Sequence, residues 1–202
     1  MDTAEDLFAQ RGYFAASVRD ITQAAGLRLA SVNYYFGSKE GLLGEVVRRR
    51  AAVLRDDRLA SLTAALQAPG GEDPLTAIVR AFVAPMIAQC VKGGEPWKRY
   101  FILIAQLATM PSAAPPGGLE DFDDVAGAYV AAFRSLSPKI TAFAAHATFQ
   151  FMLGVSLFVV CDSRRLDHLS AGRFHSADLE ALTEPLVEFL GGGAAASLGL
   201  AG

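Results

Sequence analysis

Arg28, Leu29, Ser31, Asn33, Tyr34, Tyr35 and Lys39 crowd one short stretch of this 202-residue chain, and together they carry the chemistry of nucleic-acid contact. An asparagine amide pairs with adenine through two hydrogen bonds, a guanidinium pairs with guanine, and tyrosine hydroxyls and a lysine reach phosphates. Ala30 and Ser31 are small enough to let a helix approach a groove closely. Such residues must be presented by a firm scaffold, and the segment Ser17 to Lys39, SVRDITQAAGLRLASVNYYFGSK, supplies one. Ser17 is a capping residue, Asp20 follows three positions later where a carboxylate favours a helix start, and Gly26 can take the left-handed stop. Val18, Ile21, Ala24 and Ala25 share one apolar face, which Leu27, Val32 and Phe36 continue at helical spacing. The pattern is that of a helix-turn-helix whose second helix points an unusual polar and aromatic face outward. Spacing alone leaves a second reading open, a core helical hairpin whose tyrosines merely pack.

The residues themselves resemble a known family. LFAQRGY at Leu7 to Tyr13, SVRDITQAAGL at Ser17 to Leu27 and VNYYFGSKEGLL at Val32 to Leu43 are similar to the N-terminal DNA-binding domain of the TetR family of one-component transcriptional regulators. The resemblance implies a phosphate contact for Ser17 and base-edge positions for Arg28, Leu29, Ser31 and Asn33. Tyr34, Tyr35 and Lys39 fall where the family contacts the DNA backbone. Two departures stand out: Arg28 occupies a position that is usually a small capping residue, and Tyr35 one that is most often His. The family also has a basic arm upstream, whereas this sequence begins at Met1 within the first helix, so a weaker electrostatic grip or a start placed too late is expected. Glu72 to Ile87, EDPLTAIVRAFVAPMI, and Trp97 to Phe101, WKRYF, resemble more loosely a branch that includes fatty-acid-responsive repressors.

Charge fits a reader of DNA that does not adhere everywhere. The chain carries a net charge of −3, yet Ser17 to Arg50 holds six Lys/Arg against three Asp/Glu. Arg48, Arg49 and Arg50 are the densest cluster, and at least one is expected on a solvated helix face. Cys90 and Cys161 lack metal or redox spacing and no signal peptide precedes the first helix, so buried thiols in a reducing cytoplasm are expected.

Beyond Lys39 no stretch alternates as a strand. The predicted fold is all-α, with an N-terminal three-helix helix-turn-helix domain over 1–50 and a larger helical effector-binding and dimerisation domain over 51–190. A long helix starts near Ser38; Asp73 and Pro74 open another, which Gly93-Gly94 ends; Pro96 opens the next. The longest middle loop is expected from Pro111 to Gly118, followed by an amphipathic helix to about Ser135. Ser137-Pro138 and Ser176 are predicted to cap the last two long helices, and 191–202, GGGAAASLGLAG, reads as a disordered tail.

Phe82, Met86, Trp97, Tyr100, Phe101, Phe122, Tyr129 and Phe133 come from the helices that line the ligand pocket in the resembling family, which makes them pocket candidates for an apolar effector, with ordinary core as the alternative. Lys98 or Arg99 would then meet an acidic group at the pocket mouth. Ile140 to Cys161 runs 22 residues without a charge, long enough to span a bilayer. His146, Thr148, Gln150 and Ser156 within it favour a helix buried on two sides instead. In the family the last two long helices form a four-helix dimer seam, which implies one here around Ala142 to Cys161 and Ala177 to Leu190, and a charge at Leu153 or Gly154 is expected to split or unfold it. No nucleophile, acid pair or phosphate loop stands at motif spacing, and the three histidines lack matched partners, so neither catalysis nor a cofactor or metal is expected. The expected partners are double-stranded operator DNA, an apolar effector and a second copy of the chain, with no membrane. The rival reading is a helical carrier or enzyme that uses the same cavity and has an inactive helix-turn-helix.

Overall fold

The computed structural model describes residues 1–68, 71–110 and 120–201, and all regular structure among them is helical. The elements are α1 (Asp2–Ala15), α2 (Val18–Ala24), α3 (Ala30–Phe36), α4 (Lys39–Gln67), α5 (Pro74–Gly93), α6 (Glu95–Ala108), a 3-10 turn (Glu120–Phe122), α7 (Asp123–Ser135), α8 (Ala142–Val160), α9 (Arg165–Leu169) and α10 (Leu179–Leu198). The predicted Pro111–Gly118 loop lies outside the described residues.

The start and stop signals work as their chemistry dictates. Ser38 caps α4 by accepting from the Gly41 amide, and Asp73 caps α5, with Pro74 in its first turn. Gly94, at φ 61°, turns the chain from α5 into α6. Two starts differ from expectation. Thr141, not Ser137, caps α8, because residues 137–140 close a turn in which the Ile140 amide donates to the Ser137 carbonyl. Asp178, not Ser176, caps α10, since the Ser176 amide and hydroxyl both donate to Asp167 at 2.7 and 2.8 Å.

The disordered tail is also corrected, for α10 continues to Leu198. Gly191, Ala194 and Leu198 are buried there, and the Thr148 hydroxyl donates to that of Ser197 at 2.8 Å. Small residues let α10 lie close on α5 and α8, and this packing outweighs the poor helix propensity of three successive glycines.

The core runs through both ends of the molecule. α4 packs along α5, α5 along α10, and α8 against α6, α7 and α10. α1 lies on α6 and α4. Its Glu5 is buried and held by Arg49 and Arg50 at 3.0 Å each. Arg49 also reaches Asp2 at 2.6 Å, while Arg48 pairs with Glu45. The arginine cluster is therefore chiefly a clamp between α1 and α4. By length and composition α5 and α8 are each able to cross a membrane; α5 is enclosed by the other helices, while α8 leaves one face open.

Candidate nucleic-acid interface and ligand cavity

Buried Ala16, Ile21 and Val32 lock α2 and α3 together, with Phe36 half-buried beside them. The α2 start is a full capping box: the Ser17 hydroxyl accepts from the Asp20 amide at 3.1 Å and donates to its carboxylate at 2.7 Å. These Ser17 bonds hold the Asp20 carboxyl below its ordinary range. A phosphate at Ser17 must share a hydroxyl already so engaged.

Leu27 departs from the expected apolar face, being 59% exposed. α2 ends at Ala24 and Gly26, at φ 66°, swings the chain so that Leu27 faces outward, as do Ala24 and Ala25. α3 then begins after Arg28, whose carbonyl accepts from the Ser31 amide at 2.9 Å. Arg28, Leu29 and Asn33 are exposed, Ser31 is half-buried, and Tyr34 and Tyr35 are 82% and 73% exposed. The two tyrosine rings meet edge to face at 4.9 Å. Lys39 Nζ sits 3.5 Å from the Phe14 carbonyl and 4.3 Å from the Tyr13 ring centroid, and partial burial lowers its pKa. These side chains thus share a short helix and its flanks, on a scaffold that α1 and α4 pack against.

A cavity of about 360 Å³ opens between α4, α6, α7 and α8. Its walls are apolar: Leu54, Phe101, Ile104, Phe122, Val125, Phe149, Leu153 and Leu157. Ala108, Asp123, His146 and Gln150 are the exposed lining residues among those described and form its rim. Of the eight pocket candidates only Phe101 and Phe122 line it. Phe82, Met86, Tyr100, Tyr129 and Phe133 are wholly enclosed core, and Trp97 is buried against Tyr100, Phe101 and the Arg50 guanidinium. Of their helices α6 and α7 frame the cavity, while Phe82 and Tyr129 pack behind its wall, their rings 5.6 and 6.5 Å from that of Phe149 on α8, which does line it. Tyr100 and Tyr129 spend their hydroxyls on the Val47 and Arg58 carbonyls, and burial pushes both phenols well above the usual range.

Neither Lys98 nor Arg99 reaches this cavity. Arg99 pairs with Asp6 of α1 at 2.8 Å and Lys98 with Glu95 at 3.5 Å. The cation in the cavity wall is Arg58, which pattern reading passed over. Its position was a signal: Leu54, Arg58 and Leu62 follow one another at four-residue spacing on the buried stripe of α4, where a charge is out of place. Both thiols are free, Cys90 buried and Cys161 half-buried, and burial pushes them up to about 12 and about 11.

Residues 1–46 match the family of bacterial regulatory proteins named tetR, and residues 80–193 match the tetracyclin repressor-like C-terminal domain. Among curated relatives, the transcriptional repressor KstR2 of Rhodococcus jostii is 46% identical over 48 residues, 24% of each chain. The chain spans well under half the length of the curated relatives it matches. Among solved structures, the fatty acid degradation regulator FadR from Bacillus halodurans aligns with a TM-score of 0.67 at 18% identity, over 95% of this chain and 92% of that one. AibR, solved with isovaleryl coenzyme A and operator DNA, aligns with a TM-score of 0.64 at 19% identity, over 93% and 94%. At such identities the structural likeness speaks for the fold. With one family match over the helix-turn-helix and another over more than half of the chain, the protein belongs to the TetR family of bacterial regulatory proteins.

Proposed function

We propose that this protein is a cytoplasmic, homodimeric transcriptional repressor that leaves a palindromic operator when a small, apolar-bodied effector fills the cavity between α4, α6, α7 and α8. In this reading residues 1–50 form the DNA reader, with Ser17, Arg28, Leu29, Ser31, Asn33, Tyr34, Tyr35 and Lys39 on its contact surface. The rest of the chain, through α10, senses the effector and dimerises. One observation carries the coupling: two cavity walls, α4 and α6, are also the helices on which α1 rests. α4 follows α3 after two residues, and Arg58 lies about 28 Å along it from Lys39 at about 1.5 Å per residue. A ligand that shifts α4 therefore moves the reading head, and it lowers DNA affinity by its preference for the shifted state.

Dimerisation is supported by the open face of α8 and α10. Phe143, 84% exposed, joins exposed Phe151, Phe158 and Phe189 there, beside Gly154, Gly192 and Gly193, which have open space around them. Four bare phenylalanines among small residues suit a second copy of the same two helices. The two α3 helices would then stand one DNA turn apart, roughly 34–36 Å. AibR, which was solved with both an acyl coenzyme A and operator DNA, supports a regulator that senses a small metabolite. The cavity lies at the small end of ligand pockets, which favours a compact effector over a long acyl chain.

Gel shift on the DNA upstream of the protein's own coding region tests this reading. A salt-sensitive complex that random DNA does not compete away is expected. Ligand binding without any DNA complex would make the protein a carrier instead.

A further inference from the structure

Arg58 is 4% exposed, and no Asp or Glu whose side chain the structure describes lies within ion-pair distance of it. Its Nε donates to the Phe82 carbonyl at 3.2 Å, one terminal nitrogen reaches the Met86 sulfur at 3.7 Å, and the guanidinium lies 3.6 Å from the Phe82 ring centroid. The other terminal nitrogen makes no hydrogen bond among the described residues. Burial pulls the pKa down to about 10, which still leaves the group charged at neutral pH. A lone buried cation costs folding free energy unless an anion meets it, so a chain that keeps one in a cavity wall has a use for it. The acidic rim residue, Asp123, is exposed and has water to satisfy it.

A planar guanidinium with a free edge matches a carboxylate, which accepts two parallel bonds from it. Leu54, Phe101, Ile104, Phe149 and Leu157 offer apolar contact beside it, and the other polar lining residues, Asp123, His146 and Gln150, stand at the rim. We propose that Arg58 is the acid-recognition residue of the cavity and that the effector is a free carboxylic acid on a compact apolar body, its carboxylate inside and its body along α6 and α8. This deepens the regulatory reading above and rests on it for the consequence of binding. An acyl thioester would present a neutral carbonyl to Arg58 and leave the cation without an anion.

The test is calorimetric titration of the full-length protein with octanoate, 4-phenylbutyrate and 1-naphthylacetate, each beside its primary amide, and with octanoyl coenzyme A. At least one acid should bind about tenfold or more tightly than its amide, and Arg58→Met should abolish that preference while leaving the amide affinity in place. Arg58→Met should also melt no lower than the unmodified protein, because an apolar side chain of similar reach replaces an uncompensated charge. Equal affinity for acid and amide in the unmodified protein overturns the inference without requiring any variant to fold. So does an acid preference that survives Arg58→Met, octanoyl coenzyme A binding more tightly than octanoate in both proteins, or a lower melting temperature with loss of amide binding. Operator affinity measured in the same titrations separates the two claims. If amides bind and release DNA as well as acids do, the regulatory reading stands and the carboxylate inference falls. If acids bind through Arg58 and operator affinity stays constant, the reverse holds; if no probe binds, both fall.

Discussion

Gln106 on α6 donates from Nε2 to the Ala9 carbonyl on α1 at 2.9 Å, so a helix of the cavity wall is hydrogen-bonded to the first helix of the DNA-binding domain. Ile104 and Ala108, two residues to either side, line the cavity. The same pair of helices is joined again where Arg99 meets Asp6. α1 kinks just beyond, at Gly12, whose φ of 77° and ψ of 159° are not helical. In the proposed regulatory reading, a shift of α6 around a ligand would pass to α1 through these contacts, and a shift of α4 to α3.

Gln106→Leu keeps the volume but removes this bond. Operator affinity without ligand should change little, whereas release by an effector should weaken by about 0.5–2 kcal/mol of coupling. Operator affinity at zero and saturating ligand measures this. Unchanged coupling would return α6 to the role of passive wall.

Asn33 and Lys39 should separate base reading from backbone grip. Asn33→Ala, on the exposed face of α3, should cost roughly 1–3 kcal/mol on the operator and little on random DNA. Lys39→Ala should weaken both alike and reduce the salt dependence by about one charge. Fluorescence anisotropy across a salt series decides, and equal losses for Asn33→Ala on both DNAs would remove its specific role.

The proposed dimer seam is best probed at Gly154. Leu153, expected to share it, turns into the cavity wall, while Gly154 faces open space between exposed Phe151 and Phe158. Gly154→Glu should dissociate the dimer in analytical ultracentrifugation at micromolar concentration and lower operator affinity with it. Leu153→Glu should instead impair ligand binding. A Gly154→Glu protein that sediments as a dimer would exclude this face as the seam.

Asp167 gives a pH signature in the segment before α10. It accepts from the Ser176 amide, the Ser176 hydroxyl and His175 Nδ1, and these bonds hold its carboxyl far below the usual range. A folded-state pKa below the unfolded value means that the contribution is complete above about pH 4 and fades as pH falls below it. Asp167→Asn should therefore speed amide exchange across Ser170 to Ser176 at neutral pH. Its effect should shrink in acid; a difference that persists equally there would contradict the assignment.

Much of the molecule was legible in the order of its residues because helix signals are local. Ser17 with Asp20, Ser38, Asp73 with Pro74 and Gly94 act within a turn or two of chain, and the structure uses each where pattern reading put it. The outward face of α3 was equally readable, since it follows from helical periodicity and from the type of each residue. Family membership followed from those same local strings.

Tertiary structure decided what depends on which helix meets which. A stripe of aromatics along α5, α6 and α7 looks the same whether it faces a neighbour or a hollow, and only the packing shows that Tyr100, Tyr129 and Phe133 close the core while Phe101 and Phe122 border the cavity. The poly-glycine run of α10 reads as disorder until α5 and α8 are placed beside it, because its helix is stabilised by neighbours rather than by propensity. Arg58 is the sharpest case. Sequence spacing places a charge on the buried stripe of α4, but whether it meets a carboxylate, a carbonyl or an open cavity is settled by segments 24 and 28 residues away, at Phe82 and Met86.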